Sequence, residues 1–331
     1  MLKLSHNVFL AAALAVAMAA CSKSPDEDPV RETVEVTFSV LSTKSVEDDE
    51  TNIVTLDALA FRSDGTLDSY ARADAAAVTL PLTKGAYISW WVVANAPEGA
   101  LSVISTETAM SALRSALAEN ASNAFVMTAR GSGVYETANQ TVNIDLTRLV
   151  SKVSIGKLTA SFLGTGALSA ADMTLDAAYL INASANVKYD ITPLSESWYN
   201  QLRLDGTLAE PVKSFLWKDA ESLELVPAGN DLGYYFYTCP NPVSNAATSA
   251  VLASWTPRNT RLVLETSIDG VKNYYPITLP AMQCNYEYLI EEVELLGFGS
   301  DGPDVPVVRD IVRYAVVVNP WQSEEKHYIM D

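Results

Sequence analysis

The chain has 331 residues and a formal net charge of −18, from 22 Lys and Arg against 40 Asp and Glu. So large a carboxylate excess excludes nucleic acid and anionic lipid headgroups as natural partners and implies a self-repelling surface. Two histidines and three cysteines exclude more. Once an N-terminal leader is gone, His327 is the remaining histidine, so a Ser-His-Asp or Cys-His arrangement would depend on a tail residue, and a multi-histidine zinc site cannot be built within one chain. No Gly-rich phosphate loop is present, and carboxylate pairs are too abundant to be informative. No enzyme, no catalytic residue, no cofactor and no metal site is expected.

Residues 1–20 read as a lipoprotein signal peptide. Lys3 supplies a positive start, and Val8 to Met18 is an apolar run too short to span a bilayer. It ends in Met18-Ala19-Ala20-Cys21, small residues ahead of a thiol that can accept a diacylglyceryl group. This is similar to the bacterial lipobox, with Met18 where Leu is usual. Lipidation is therefore assigned to Cys21; the alternative is an ordinary secretory signal cut after Ala20. Residues 21–31, polar, Pro-bearing and acidic, cannot bury enough apolar surface to fold and read as a tether.

From residue 32 onward, alternation of period two dominates the chain. In Thr33–Val40, Val34, Val36, Phe38 and Val40 point one way and Thr33, Glu35, Thr37 and Ser39 the other, the mark of a half-buried strand. Behind it Leu41 to Glu50 is polar and suits an exposed, cuttable loop, with Lys44 its basic residue. Further strands are expected at Ile53–Phe61, Ala86–Asn95, Val142–Leu146, Leu149–Ile155, Met173–Ile181, Gly233–Cys239, Arg261–Ile268, Tyr274–Leu279, Tyr286–Leu295 and Ile311–Val318. Turns at Ser63-Asp64-Gly65, Asp205-Gly206, Asp269-Gly270 and Ser300 to Pro303 separate them. The last of these strands, apolar on both faces, is expected in the core. The acidic Ser300–Asp304 turn matches no calcium-loop spacing.

One helix interrupts the strands: Ser105 or Thr106 caps it, Glu107 suits its positive end, and Met110, Leu113 and Leu117 form its apolar stripe, with a stop at Asn120 to Asn123. Cys239 and Cys284 can form one disulfide or stay as two buried thiols. Many short strands with few helices imply a mainly β fold of sandwich type. Asp145 to Lys152 looks like the junction between two units, giving an N-terminal domain over 32–147 and a C-terminal domain over 148–331.

Several segments together resemble the fimbrillin (FimA-type) pilus subunits of anaerobic gut and oral bacteria. They are Trp91-Val92-Val93-Ala94-Asn95-Ala96-Pro97; Ile144 to Val153, similar to that family's domain crossing; and a long series from Thr260 to Glu265, Tyr274 to Ile277 and Asn285 to Tyr288, on through Gly297 to Asp304 and Val316 to Trp321. The tether also looks like the Lys-plus-acidic tag of surface lipoproteins in Bacteroides-like bacteria.

The resemblance implies two transthyretin-like β-sandwich domains with one short helix in the first, and a role in building adhesive surface fibres. It implies a precursor held in the outer membrane by lipid at Cys21 and cut by a surface trypsin-like protease after its first strand. Other fimbrial subunits would be the partners, each filling the vacated groove with a C-terminal strand. In this sequence the displaceable strand is carried by Val34, Val36, Phe38 and Val40, the cut falls between Lys44 and Ser45, and the donor strand falls on His327, Tyr328, Ile329 and Met330, for which a frayed terminus is the alternative. The family's cut usually follows arginine, and here the loop offers only Lys44; Arg31 precedes the strand and Arg62 lies beyond the loop. A surface lipoprotein that binds glycans is the alternative, motivated by six tryptophans, of which Trp198, Trp217 and Trp255 lie in the less regular stretches.

Overall fold

The computed structural model describes residues 31–40, 49–163, 173–193, 195–201, 214–244, 255–307 and 310–321. The first half of this part is built from β1 (Thr33–Val40), β2 (Leu56–Arg62), β3 (Leu67–Ala73), β4 (Ala77–Thr83), β5 (Tyr87–Ala94), α1 (Glu107–Ala112), β6 (Arg114–Ala116), β7 (Met127–Val134), β8 (Gln140–Ile144) and β9 (Thr147–Arg148). A three-stranded sheet has the order β4-β1-β8 and a five-stranded sheet the order β3-β2-β5-β7-β9. Apolar side chains fill the space between them: Phe38 of the first and Trp90 of the second lie with ring centroids 5.3 Å apart. Pairing in the larger sheet is antiparallel throughout.

Strand β2 is buried on both faces up to Phe61. That placement buries Asp57, which accepts hydrogen bonds from Tyr70 (2.8 Å) and Arg72 (2.9 Å). Burial pushes its pKa up, and these two partners offset only part of the shift. Such pairing is what makes a buried carboxylate tolerable.

The second half contributes β10 (Ser151–Ala160), β11 (Met173–Ile181), β12 (Ala183–Ser184), β13 (Asn186–Lys188), β14 (Trp198–Tyr199), β15 (Trp217–Glu224), β16 (Asn230–Thr238), β17 (Arg261–Ile268), β18 (Val271–Thr278), β19 (Tyr286–Leu295), β20 (Val312–Tyr314) and β21 (Val317–Pro320). One sheet runs β16-β10-β19, with β20 and β21 both paired to β19, and another runs β15-β11-β17-β18. Strands β10 and β19 are parallel. Gly156 is required there, since a Cβ at this position would lie 2.6 Å from the Glu291 carbonyl oxygen. Asp269 and Gly270, at φ +47° and +79°, make the two-residue turn of the β17–β18 hairpin, as their residue types predict.

Sheet membership changes across Leu149 and Val150. The halves nonetheless interlock: β6 pairs antiparallel with β13, Arg114 opposite Lys188 and Ala116 opposite Asn186. This pairing corrects the expected helix. Thr106 caps it through Oγ1, which accepts from the Ala109 amide at 3.2 Å, but α1 ends at Ala112 and Leu113 is already extended. The next residues satisfy their backbone on β13 instead, and Leu117 is buried on a separate 3-10 turn.

The fold is mainly β, with several antiparallel sheets and one α-helix among the described residues. Strands β11, β17 and β19 coincide with the spans that alternation predicts. Strands β3, β4, β7 and β15 lie outside the expected spans, and Leu146 lies beyond the end of β8. The stretch Ile311–Val318 is core only in part: Val312 is buried in it and Ile311 and Val316 pack against it, while the rest faces outward. It is split into β20 and β21 on the outer edge of its sheet, and Tyr314, Val317 and Val318 are 37%, 39% and 43% exposed. An edge strand has a neighbour on one side only, so apolar character alone does not bury it.

Candidate functional site

Strand β1 occupies the middle of its sheet. It is antiparallel to β4 over seven register pairs, from Thr33 opposite Thr83 to Ser39 opposite Ala77. It is parallel to β8 over five, from Val36 opposite Gln140 to Val40 opposite Ile144. Val34, Val36 and Phe38 are buried, Val40 is half-buried, and Thr33 and Glu35 face solvent. Each fully buried side chain of this kind contributes about 1.5–3 kcal/mol. Taking β1 away would therefore leave two strands with unpaired main-chain groups and between them a trough lined by Val78, Leu80 and Leu82, all buried.

Nine residues after the end of β1, a single 3-10 turn at Asp49–Thr51 carries Glu50 into an aromatic cluster. Its carboxylate accepts hydrogen bonds from Lys152 Nζ (2.8 Å), Tyr237 Oη (2.6 Å) and Trp321 Nε1 (3.0 Å). Burial pushes the Glu50 pKa up, but these three donors outweigh it and leave the group below its ordinary value. The Trp321 ring stacks on Tyr237 at 5.6 Å, meets Phe125 edge-on at 5.4 Å, and carries the Arg148 guanidinium 4.6 Å above its face. Arg148 in turn donates to the main-chain oxygens of Glu50 and Trp321 and to Asn285 Oδ1, each at 3.0 Å. Thus the end of β21, the start of the second half and the segment just past β1 meet at one point.

The backbone of that meeting point is shaped by two asparagines. Asn95, at φ +58°, accepts from the amides of Val54 (2.8 Å) and Thr55 (3.3 Å). It donates to the carbonyls of Asn52 (2.8 Å) and Phe125 (2.9 Å). Asn285, at φ +59°, accepts from the Trp321 amide at 2.8 Å. Asparagine tolerates the left-handed region better than most residues, and its short amide bonds nearby backbone.

The remaining expected site residues divide cleanly. Cys21, Lys44, Ser45, His327, Tyr328, Ile329 and Met330 lie outside the described residues. Arg62 closes β2 with Nε bonded to Asp68 at 2.8 Å, inside a hairpin, while Arg31 is exposed ahead of β1. Cys239 and Cys284 are buried free thiols; burial pushes the Cys284 pKa up to about 12, so this thiol is inert at neutral pH. Asp304 of the acidic turn is buried between Arg258 and Arg261. Trp198 and Trp255 pack on each other at 5.0 Å, and Trp217 stacks on Tyr179 at 4.0 Å; all three are half-buried, and none presents a free ring platform.

Sequence reasoning missed Glu50 and Arg148 as partners. Glu50 stands in the run Glu47-Asp48-Asp49-Glu50, where no local feature separates it from its acidic neighbours.

No protein-family model matches this sequence, and no curated protein does. Solved structures do. A candidate cell adhesion protein from Bacteroides eggerthii superposes with a TM-score of 0.67 at 20% identity, covering 88% of this chain and 97% of its own. A fimbrilin (FimA) from Porphyromonas gingivalis gives 0.60 at 16% identity, covering 88% and 98%. The tip fimbrial protein Mfa3 from Porphyromonas gingivalis, with a C-terminal truncation, gives 0.54 at 14% identity, covering 87% and 100%. Across nearly its whole described length, the fold of this chain is the one these fimbrillin-type proteins share.

Proposed function

We propose that this chain is a structural subunit of a cell-surface fimbria with a role in adhesion. It is exported as a precursor lipidated on Cys21 and held at the outer membrane. A trypsin-like protease cuts it between Lys44 and Ser45, and it polymerises with other fimbrial subunits by strand exchange. Its two halves, 32–147 and 148–331, act as two transthyretin-like sandwiches, the first receiving a strand and the second donating one from the tail around His327–Met330.

The observation that carries this reading is the position of β1. It is the central strand of its sheet, its inward side chains are apolar, and directly after it in the sequence comes a polar segment holding Lys44. A donated strand would restore the main-chain bonds of β4 and β8, and its alternate side chains would refill the trough. Because one subunit's tail enters the next subunit's groove, the contact is head-to-tail and does not close, which gives a filament. The fold shared with a fimbrilin and a tip fimbrial protein supports the same role. A glycan-binding module has no comparable support, since Trp198, Trp217 and Trp255 are packed against other rings or against Arg258.

The test is to treat purified mature protein with trypsin and run it unheated on a mild detergent gel. Ladders of regularly spaced species are expected for the wild type and not for Lys44→Ala. Monomer alone, after the first strand has been lost, would refute polymerisation through this groove.

A further inference from the structure

We propose that Glu50 and Trp321 form a latch that holds β21 on β19 in the uncut subunit and loosens when β1 is cut away. Opening of the groove and release of the C-terminal strand are then linked events within one subunit. This inference rests on the strand-exchange reading and assigns its control.

Among the described residues, little else holds strand β21. It is four residues long and pairs on one side only, Tyr286 to Leu289 opposite Pro320 to Val317. Val317 and Val318 are about two-fifths exposed, so side-chain burial adds little. What fixes it is its last described neighbour: Trp321 is 5% exposed and is gripped by Glu50 at the indole nitrogen, by Arg148 at its carbonyl and by Asn285 at its amide. Two of these three grips include Glu50, since Arg148 also bonds the Glu50 carbonyl. The tail assigned as donor begins directly after Trp321.

Glu50 in turn depends on the chain before it. In the intact chain the turn at Asp49–Thr51 lies in sequence between β1, whose end Val40 pairs with Ile144, and β2. Glu50 lies six positions after Lys44 in the sequence. A cut there, with departure of β1, leaves Glu50 near a free chain end, where holding it in one place costs more entropy. The latch weakens, and β21 frays from an edge that has no other strong contact among the described residues.

The test is amide hydrogen exchange on the full mature chain, uncut, for wild type, Glu50→Gln and Trp321→Phe. The phenylalanine variant keeps an aromatic ring and removes the N–H that Glu50 accepts, so it reports the latch even if the first variant is poorly folded. Losing a hydrogen bond to a charged group should speed exchange over 317–320 about tenfold, with β17 unchanged. Wild-type protein cut at Lys44 and freed of β1 should show the same acceleration. Unchanged exchange in 317–320 for Trp321→Phe, or for cut wild type, overturns the latch. Loosened amides without gel ladders would sink strand exchange and leave the latch standing; ladders with unmoved amides would do the reverse.

Discussion

Phe38 and Trp90 meet at a tilt between the β1 and β5 sheets, 5.3 Å between centroids and 56° between ring planes, so the strand assigned to leave carries the largest apolar side chain of its row. Removing that ring should cost about 3–5 kcal/mol. Phe38→Ala is expected to lower the urea midpoint of the uncut protein accordingly. The same substitution should leave the cut protein, which has lost β1, with an unaltered midpoint. A destabilisation that persists after β1 has gone would mean that Phe38 acts elsewhere.

Asn95 separates two physical causes at one position. Asn95→Ala loses four side-chain hydrogen bonds and places a Cβ residue less suited to φ +58°. Asn95→Gly loses the bonds but keeps the backbone freedom. Both should destabilise, and glycine should be the milder by about 1 kcal/mol. Equal losses in chemical denaturation would show that the left-handed backbone contributes nothing.

Asp304 holds two guanidiniums that are themselves buried, with side-chain exposures of 7% for Arg258 and 5% for Arg261. Replacing it by alanine leaves two uncompensated cations in the interior. Asp304→Ala should cost about 3–5 kcal/mol, read as a fall in thermal midpoint.

The latch should respond to pH in one direction. Glu50 is pushed up by burial and pulled below its ordinary value of 4.5 by Lys152, Tyr237 and Trp321. A carboxylate lowered in the folded state adds stability above its unfolded value and loses it as pH falls through its folded one. Lys152 and Arg148 are the cations facing it, and burial and the Glu50 carboxylate push Tyr237 upward, out of this window. The difference in thermal midpoint between wild type and Glu50→Gln should therefore be largest near neutrality and shrink below pH 4.5. A difference that is constant from neutral to acid pH would contradict this.

Much of the scaffold is legible in the sequence because period-two alternation reports directly on burial. Thr33–Val40, Met173–Ile181, Arg261–Ile268 and Tyr286–Leu295 have the bounds that their side chains announce. Legibility fails where burial does not follow polarity. Strand β3 is half-buried along its whole length with Asp68 and Arg72 in it, and β7 carries Gly131, whose missing Cβ makes room for the Trp90 ring. The apolar Ile311–Val318 misleads in the opposite sense, since its sheet position leaves it at an edge. The helix is cut short by a partner, β13, about 70 residues away, which no local pattern contains. At the candidate site, the row in β1 can be read from four residues, whereas Glu50 and Trp321 become partners only through the fold.

The central claim is that β1 leaves before the subunit joins a fibre. The most direct measurement is the N-terminal sequence of this protein recovered from fibres sheared off intact cells. The account predicts a start at Ser45, with Thr33–Val40 absent. Assembled protein that begins at Cys21 and retains Val34, Val36 and Phe38 would contradict it.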